Sequence, residues 1–441
     1  MKKNYRLTSA QIILVGFLAV ILLGTFLLML PIASRSGEAT PFLDCLFTAT
    51  SATCVTGLIV HDTATYWSLF GKAVILILIQ TGGLGVITTA FLIRVMIGSR
   101  ISLIQRTLLQ DSISGDNVAG IIRMSLYILK MVAVAETLGA LFMMPVFIHQ
   151  FGIVRGIGYS FFHSISAFCN AGFDLMGVRQ KYSSLVYYQS NVIINLIIMF
   201  LIVFGGLGFY TWRDIHKNKY HFSRYSLQTK VVLTTSAFLI VFPALLFFFT
   251  EYRRLPMGER ILSSFFQSVT ARTAGFNSSD LTKFTENDLL IMILLMLIGG
   301  SPGSTAGGMK TTTVAVLAGT FVSLCGRRSS TVLFQRRIPE KTIRSALALS
   351  VMYLVLFLTS GMAISAMEGK PLLICFFETA SAVGTVGLTL GLTPGLHAMS
   401  RIILICLMFF GRIGGLTFMY AAFRKSKFSA AYLPEENLNV G

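Results

Sequence analysis

Long apolar segments alternate with shorter, mildly apolar stretches along the whole chain. Eight segments are long enough to cross a membrane, because about 20 apolar residues in a helix span a ~30 Å hydrocarbon core. A shorter stretch, too short to cross, lies between the two members of each successive pair. The pattern predicts an all-α polytopic membrane protein with spans near residues 11–31, 69–97, 120–148, 187–212, 229–250, 287–322, 343–366 and 400–423.

The four shorter stretches share one motif. Each has the form Phe-x-x-x-[Ser/Thr]-Ala, followed by three or four residues, then glycine and an apolar residue. Four copies, each between two spans, indicate an internal repeat of span, short helix, glycine loop and span. The copies are FTATSATCVTGL from Phe47, FHSISAFCNAGF from Phe162, FQSVTARTAGF from Phe266 and FETASAVGTVGL from Phe377.

The repeat divides the chain into four units, residues 1–98, 99–215, 216–325 and 326–441. Backbone without helical hydrogen bonds is tolerated at membrane depth only where protein buries it or where it lines a watery cavity. We therefore expect four pseudo-symmetric units of span, pore helix, filter loop and span around a central pore. The negative, C-terminal ends of the pore helices would favour a cation there.

Glycine allows successive backbone carbonyls to turn inward and replace a cation's hydration shell. The loops carry no dense set of carboxylates, which argues against a calcium-type site. A ring of carbonyls suits a monovalent, weakly hydrated cation, and K⁺ is the natural candidate.

The sixth apolar segment is interrupted by the polar, glycine-rich sequence IGGSPGSTAGGMKTTT, residues 298–313. As one helix, residues 287–322 would be about 54 Å long, far more than a bilayer needs. A lipid-facing kink would leave backbone groups unsatisfied. A substrate site at a broken helix and a loop that gates a pore below its filter are the other two interpretations.

A second set of glycines follows each loop by 24 to 33 residues, within the second span of its unit. Close helix packing in lipid explains such pairs, since small residues let backbones approach. We assign that role to three of the four pairs and reserve Gly299-Gly300 for the interruption. The pairs begin at Gly82, Gly205, Gly299 and Gly414.

The chain has a net charge of +18, and its basic residues are unevenly distributed between the two sides of the predicted membrane. With eight spans, both termini lie on the same side. The side that carries both termini holds 21 basic residues against six acidic ones, whereas the other side holds eleven of each. By the positive-inside rule, both termini are cytoplasmic and the protein lies in a plasma membrane. The charge therefore requires no nucleic acid. The basic inner loops would face a cytoplasmic partner or anionic lipid headgroups. A signal peptide at the N-terminus is a weaker interpretation, because residues 11–30 exceed a usual h-region.

Cysteine and histidine patterns indicate neither an enzyme nor a metal centre. The six cysteines form no CxxC pair and suit small buried side chains. The six histidines are scattered, and zinc-ligand spacing such as HExxH is absent from the sequence.

With these motifs, the whole chain resembles the superfamily of K⁺ transporters that includes the Trk and Ktr membrane subunits and the plant HKT transporters, most closely the Ktr-type bacterial subunit. The resemblance assigns each filter to the loop glycine and the two residues before it. The filter residues are then Val55, Thr56, Gly57, Asn170, Ala171, Gly172, Thr273, Ala274, Gly275, Thr385, Val386 and Gly387.

The resemblance also supports the gate interpretation, because Trk and Ktr subunits carry an intramembrane loop in this segment of the third repeat, contacted by an arginine of the last span. A paired or snorkelling arginine is the alternative for Arg412. For Lys310, a role like that of Arg412 and a place in the inner vestibule both stay open. The gate residues are Gly299, Gly300, Ser301, Pro302, Gly303, Ser304, Thr305, Gly307, Gly308, Lys310 and Arg412.

The family implies further properties. A serine at the first filter glycine is associated with Na⁺ transport, so the glycine here favours K⁺. Arg272 is interpreted as anchoring the third loop from behind, with a direct role in ion selection as the alternative. Ktr-type subunits form homodimers and work with a cytoplasmic ring of nucleotide-binding RCK-type subunits, and Na⁺ can serve as a coupling or activating ion. Na⁺-selective or non-selective cation transport, and a non-conducting receptor or scaffold, are the alternatives in function.

Overall fold

The computed structural model describes residues 8–96 and 121–422, and most of them are helical. One short antiparallel hairpin joins β1 (Val332–Leu333) to β2 (Arg336–Arg337), with Val332 opposite Arg337. The helices are α1 (Ser9–Met29), α2 (Phe42–Thr53), α3 (Thr63–Tyr66), α4 (Leu69–Leu84), α5 (Val86–Met96), α6 (Ile121–Phe151), α7 (Ile153–Phe168), α8 (Val192–Gly206), α9 (Phe209–Asn218), α10 (Leu227–Phe249), α11 (Met257–Thr270), α12 (Glu286–Leu297), α13 (Thr311–Cys325), α14 (Glu340–Glu368), α15 (Leu372–Gly384), α16 (Ala398–Ile413) and α17 (Gly415–Ala422).

The same order of elements recurs along the chain. A long helix (α1, α6, α10, α14) is followed by a short one (α2, α7, α11, α15), a glycine loop and a helix in two parts (α4–α5, α8–α9, α12–α13, α16–α17). Within the described ranges, the four long helices alone are continuous, long and apolar enough to cross a membrane. The bent pair α8–α9 makes a fifth candidate if it counts as one span.

Local sequence explains where these helices begin. Thr8 forms a capping box with Gln11 at the start of α1. The helices α4, α8, α10 and α12 begin after side chains that accept a backbone N–H of the first turn, namely Ser68, Asn191, Ser226 and Thr285. Three of the four short helices follow a proline, at Pro41, Pro256 and Pro371. Proline fixes φ near its helical value and has no N–H to leave unpaired.

Each two-part helix is interrupted near its glycine pair. Gly85, Gly208 and Gly414 have φ of 88°, 92° and 86°, a region that side chains disfavour. The chain bends by 96° between α8 and α9. The prediction that these glycines serve close packing therefore explains only part of their role, because it did not include the break.

Close packing against the end of a short helix is present at the first two pairs, and in the fourth unit it occurs at Gly411 rather than at Gly414. A Cβ atom at Gly82 would collide with the carbonyl oxygen of Thr53, the last residue of α2. Gly205 stands in the same relation to Phe168, and Gly411 to Val383 near the end of α15. In these three units the two-part helix therefore packs in direct contact with the short helix, near the residue where the glycine loop begins.

The phenylalanine that opens each motif anchors its short helix in the core. Phe47, Phe266 and Phe377 are completely buried, and Phe162 is 3% exposed. Burial of an aromatic ring is among the largest single apolar contributions to stability. The repeated motif thus combines an anchor at one end with a flexible loop at the other.

Candidate functional site

The four glycine loops share one backbone conformation. Two residues before each glycine, a non-glycine residue has positive φ: Val55 (56°), Asn170 (58°), Thr273 (73°) and Thr385 (52°). The glycines themselves have φ of 92° (Gly57), 68° (Gly172), 80° (Gly275) and 94° (Gly387). Non-glycine residues rarely adopt positive φ, and such strain is concentrated at functional sites. All twelve residues predicted from the resemblance lie in these four loops.

The loops meet in a closed ring. A Cβ atom at Gly57 would lie 2.5 Å from the carbonyl oxygen of Ala171, and one at Gly172 would lie 2.8 Å from that of Ala274. Gly275 faces the carbonyl oxygen of Val386 in the same way, and Gly387 returns to that of Thr56, each at under 3.0 Å. Each glycine therefore touches the loop of the next unit, and the fourth touches the first. No side chain fits at any of the four positions.

Hydrogen bonds to the short helices hold the loops in this shape. In the first and fourth loops, a serine hydroxyl accepts the N–H of the glycine: Ser51 from Gly57 at 3.0 Å and Ser381 from Gly387 at 2.9 Å. In the second and third loops, Ser166 and Thr270 instead donate to the carbonyl oxygens of Phe173 and Phe276, at 2.7 and 2.6 Å. The hydroxyl of the [Ser/Thr]-Ala motif thus has a structural role that explains its repetition.

Arg272 immediately precedes Thr273 of the third loop, and its side chain reaches α10. Its side chain is partly buried, and one guanidinium nitrogen donates to the hydroxyl of Ser236 on α10 at 3.4 Å. Ile202, Val203 and Gly206 of α8 line the small cavity beside it. This orientation supports the interpretation of Arg272 as an anchor from behind.

The interruption between α12 and α13 forms a loop of residues 298–310, here called the interrupting loop. The N–H of Gly299 donates to the carbonyl oxygen of Met309 at 2.7 Å, and that of Thr311 donates to Gly300 at 3.1 Å. These bonds join the two ends of the loop, so the backbone groups that take part in them are satisfied within the protein.

The interrupting loop is tied to the second unit. The N–H groups of Ser301 and Thr305 donate to the carbonyl oxygens of Gly206 and Gly205, at 3.0 and 3.2 Å. The carbonyl oxygen of Gly303 accepts the N–H of Phe209 at 2.8 Å. The break between α8 and α9 therefore supplies the backbone groups that bind the loop.

The loop is also tied to the fourth unit and lies directly against its glycine loop. The N–H of Gly308 donates to the carbonyl oxygen of Gly411 at 3.1 Å. A Cβ atom at Gly307 would collide with the hydroxyl of Thr385, so the two loops are in contact. The interrupting loop, which belongs to the third unit, thus bridges the second and fourth.

Arg412 joins three parts of this arrangement. Its guanidinium donates to the carbonyl oxygen of Thr305 in the interrupting loop, and to those of Gly82 and Gly83 at the end of α4, the last at 2.9 Å. Hydrogen bonds from a charged donor are the stronger ones. Arg412 therefore contacts the interrupting loop and is also paired with backbone carbonyls of α4, which agrees with both interpretations of this residue.

Lys310 faces a cavity of about 330 Å³ next to the interrupting loop. Its ammonium donates to the carbonyl oxygen of Ala306 at 2.7 Å. Ile13 and Phe17, from the first half of α1, and Arg412 also line the cavity. The loop therefore lines this cavity and also touches, at Gly307, the fourth glycine loop.

Asp174 follows the second glycine loop by two residues. Its Oδ1 atom accepts the N–H of Met176 at 2.9 Å. Burial raises the pKa of Asp174 from 3.8 to about 6, and the neighbouring Asp62 carboxylate contributes to the rise. This carboxyl group therefore changes charge in the mildly acidic range.

Sequence analysis missed two features of the site. The partners of Arg412 on α4 are more than 300 residues away in sequence, and the sequence carries no signal for them. Glu136 is buried within α6, a span that is otherwise mostly apolar. A lone acid in such a segment is a signal of function that could have been used.

Comparison with known proteins identifies the family. The TrkH family model, described as a cation transport protein, matches residues 3–431. The chain is 40% identical to the potassium/sodium uptake protein NtpJ of Enterococcus hirae, covering 100% of this chain and 99% of that one. It is 39% identical to the Ktr system potassium uptake protein B of Bacillus subtilis, covering 100% and 98%.

The fold agrees with this family. The structure resembles the crystal structure of the potassium transporter TrkH from Vibrio parahaemolyticus with a TM-score of 0.72, covering 96% of this chain and 87% of that one. At 18% identity, the likeness establishes the fold alone. Because the family model covers nearly the whole chain and full-length relatives reach 40% identity, the chain belongs to the TrkH family of cation transport proteins and is a transporter rather than an enzyme.

Proposed function

We propose that this protein is the membrane pore subunit of a K⁺ uptake system. The observation that carries the proposal is the closed ring of glycines, in which Gly57, Gly172, Gly275 and Gly387 each touch the next loop. Relatives named for potassium or potassium/sodium uptake support the choice of ion.

The four glycine loops act as the selectivity filter. Carbonyl oxygens of residues such as Thr56 and Ala171 face the axis and replace the hydration shell of K⁺. The positive φ at two positions of each loop turns successive carbonyls toward the same side, as the filter requires. The absence of side chains at the four glycines lets the loops approach closely enough to form one ring.

The interrupting loop acts as the gate. It contacts Thr385 of the fourth filter loop on one side and lines the 330 Å³ cavity on the other. It therefore lies between the filter and that cavity. Its backbone bonds to α8 and to Arg412 hold it across the path, while its glycines give it the freedom to move.

In the cell, the subunit lies in a bacterial plasma membrane with both termini in the cytoplasm. It works as a homodimer with an RCK-type nucleotide-binding ring, and Na⁺ couples to or activates uptake. The basic residues Arg327, Arg328, Arg336 and Arg337 around the β-hairpin are suited to contact such a ring or anionic headgroups.

Uptake of Rb⁺ or K⁺ in bacterial cells that lack their own K⁺ uptake systems tests the function. The protein is expected to restore growth at low K⁺, with K⁺ competing against Rb⁺ far better than Na⁺ does. Equal competition by both ions would favour the alternative of Na⁺-selective or non-selective transport. Loss of all uptake in a protein that accumulates in the membrane would favour a non-conducting role.

A further inference from the structure

Glu136 is a buried carboxyl group that the proposed filter and gate do not use. It lies near the middle of α6 and is only 8% exposed. Its Oε2 atom accepts a hydrogen bond from Nε2 of Gln80 at 3.3 Å, whereas Oε1 has no hydrogen-bond partner in the part of the chain that the structure describes. Burial of a carboxyl group inside a membrane protein is costly, and such groups usually have a function.

A chain of hydrogen bonds connects Glu136 to the second filter loop. Gln80, in the last turn but one of α4, accepts the thiol of Cys169 at its Oε1 atom, with 3.5 Å between sulfur and oxygen. Cys169 is completely buried and directly precedes Asn170, the first residue of the loop. The amide of Gln80 therefore joins the carboxyl group of α6 to the loop.

Further contacts restrain the hydrogen-bonded series Glu136–Gln80–Cys169. A Cβ atom at Gly83 would lie 2.6 Å from the sulfur of Cys169, so the end of α4 packs directly on the loop. The hydroxyl of Ser164 on α7 donates to the backbone carbonyl oxygen of Glu136 at 2.6 Å. Both ends of this hydrogen-bonded series are thus held by helices. A change in the distances between its side chains would therefore move the second glycine loop.

The second loop differs from the third in this support. The residue three positions before the glycine is Cys169 in the second loop and Arg272 in the third. Arg272 bonds to the hydroxyl of Ser236 on α10, whereas Cys169 reaches a carboxyl group through an intervening amide. In both units a polar group on a long helix is linked to the residue three positions before the glycine, directly at Arg272 and through Gln80 at Cys169. The chemical groups that form the link differ between the two units.

We propose that Glu136, acting through Gln80 and Cys169, positions the second filter loop and sets its contribution to discrimination between K⁺ and Na⁺. Glu136 and Gln80 are positioning residues and do not touch the ion. The inference rests on the proposed filter function. Carbonyl positions in the loop determine selectivity, so a hydrogen-bond chain that fixes them affects selectivity before it affects transport.

Exchange of the two polar partners tests the proposal. In the Gln80→Glu variant, two carboxyl groups face each other and the amide donor is lost. In the double variant Gln80→Glu/Glu136→Gln, the amide and the carboxyl group exchange places, and the thiol of Cys169 still meets an acceptor. The measurement is Rb⁺ uptake in cells without their own K⁺ uptake, with increasing K⁺ or Na⁺ as competitor, and membrane content of each variant is measured in parallel.

For Gln80→Glu we expect a three- to tenfold fall in the K⁺/Na⁺ competition ratio, which is roughly the effect of losing one hydrogen bond. The double variant should recover most of that fall. If Gln80→Glu fails to accumulate, Gln80→Leu also removes the amide and should show the same fall. The matched control is Thr25→Val on α1, because among the described residues the buried hydroxyl of Thr25 donates to Ile21 of the same helix. Its competition ratio should not change.

Two results would overturn the proposal. One is an unchanged ratio in accumulating Gln80→Glu and Gln80→Leu variants. The other is a double variant no more selective than Gln80→Glu. That result would show that residues 80 and 136 do not act as a hydrogen-bonded pair and have a purely structural role. Failure of the wild-type protein to discriminate between K⁺ and Na⁺ would instead contradict the proposed function itself, so the two failures are distinguishable.

Discussion

The hydroxyl of Thr305 donates a hydrogen bond to the carbonyl oxygen of Phe168 at 3.0 Å. Phe168 is the last residue of α7, two residues before Asn170 of the second glycine loop, and Thr305 lies in the interrupting loop of another unit. The proposed gate is therefore bonded directly to the base of the proposed filter.

Replacement of Thr305 by valine should raise K⁺ flux. The change removes the donor to Phe168 and leaves a buried carbonyl oxygen unpaired, which weakens the closed position of the loop by about 1 kcal/mol, or several-fold in flux. Rb⁺ uptake at equal membrane content is the measurement. Thr305→Ser keeps the hydroxyl and serves as the control. Equal flux in the wild type and both variants would mean that this bond does not hold the gate.

Replacement of Arg412 by alanine should raise flux further than Thr305→Val. The guanidinium donates to three backbone carbonyls, and hydrogen bonds from charged donors contribute about 1.5–3 kcal/mol each. Arg412→Lys keeps the charge but cannot reach all three acceptors, so its flux should lie between wild type and Arg412→Ala. Uptake assays on the three proteins decide the order. Loss of flux in an accumulating Arg412→Ala protein would contradict the gate.

Deletion within Gly300 to Gly308 should increase K⁺ flux while selectivity is retained. The barrier is removed, but the ring of filter glycines is formed by other residues. A substrate site at this position predicts loss of transport, and a packing kink predicts poor accumulation. Expression, flux and the K⁺/Na⁺ competition ratio, measured on one deletion, separate the three interpretations.

Gly57→Ser should weaken the discrimination between K⁺ and Na⁺. The new Cβ atom would lie 2.5 Å from the carbonyl oxygen of Ala171, so the first and second loops must separate. Gly37→Ser is the matched control, because Gly37 also has positive φ (77°) but nothing within 4 Å of the added atom. Backbone strain is then similar in both variants, and only the ring contact differs. An unchanged competition ratio in Gly57→Ser would count heavily against the filter assignment.

Asp174→Asn should stabilise the protein at neutral pH and have little effect at pH 3.5. The folded-state pKa of about 6 lies above the ordinary value of 3.8. The charged carboxylate therefore lowers stability, and this cost is absent below pH 3.8, grows as pH rises toward 6 and is complete above it. A rise of this size in the pKa corresponds to about 3 kcal/mol of stability. Thermal unfolding of the wild type and Asp174→Asn in detergent at both pH values measures the difference in stability. An equal effect of the substitution at both pH values would show that the charged carboxylate does not destabilise the folded protein.

The glycine loops could be predicted because the same pattern occurs four times at similar positions between apolar segments. Phe47 and Gly57 each have three counterparts, and repetition distinguishes them from ordinary core residues. The interruption at residues 298–310 could also be predicted, since a helix of 36 residues would be too long and glycine and proline interrupt it. The mostly helical fold and the positions of the loops in the sequence therefore followed from local pattern and helix length.

The breaks at Gly85, Gly208 and Gly414 could not be distinguished from packing sites by sequence, because a glycine in an apolar segment serves either role. The partners of Arg412 depend on how α4 and α16 meet in space, which no local pattern encodes. Glu136 was overlooked for a different reason. It occurs once, in one unit, and the search for repeated features does not find a residue that makes one unit unlike the others.

The ring of glycine contacts is closed within a single polypeptide, and this has a consequence for how such a pore can vary. In an assembly of four identical subunits, any substitution near the axis appears four times, so an arginine there would bring four positive charges together. Here the position three before each glycine is occupied by Cys54, Cys169, Arg272 and Gly384. A single chain can thus carry one charge behind one quarter of the ring, and mutation can adjust each quarter separately while the contacts between quarters stay the same.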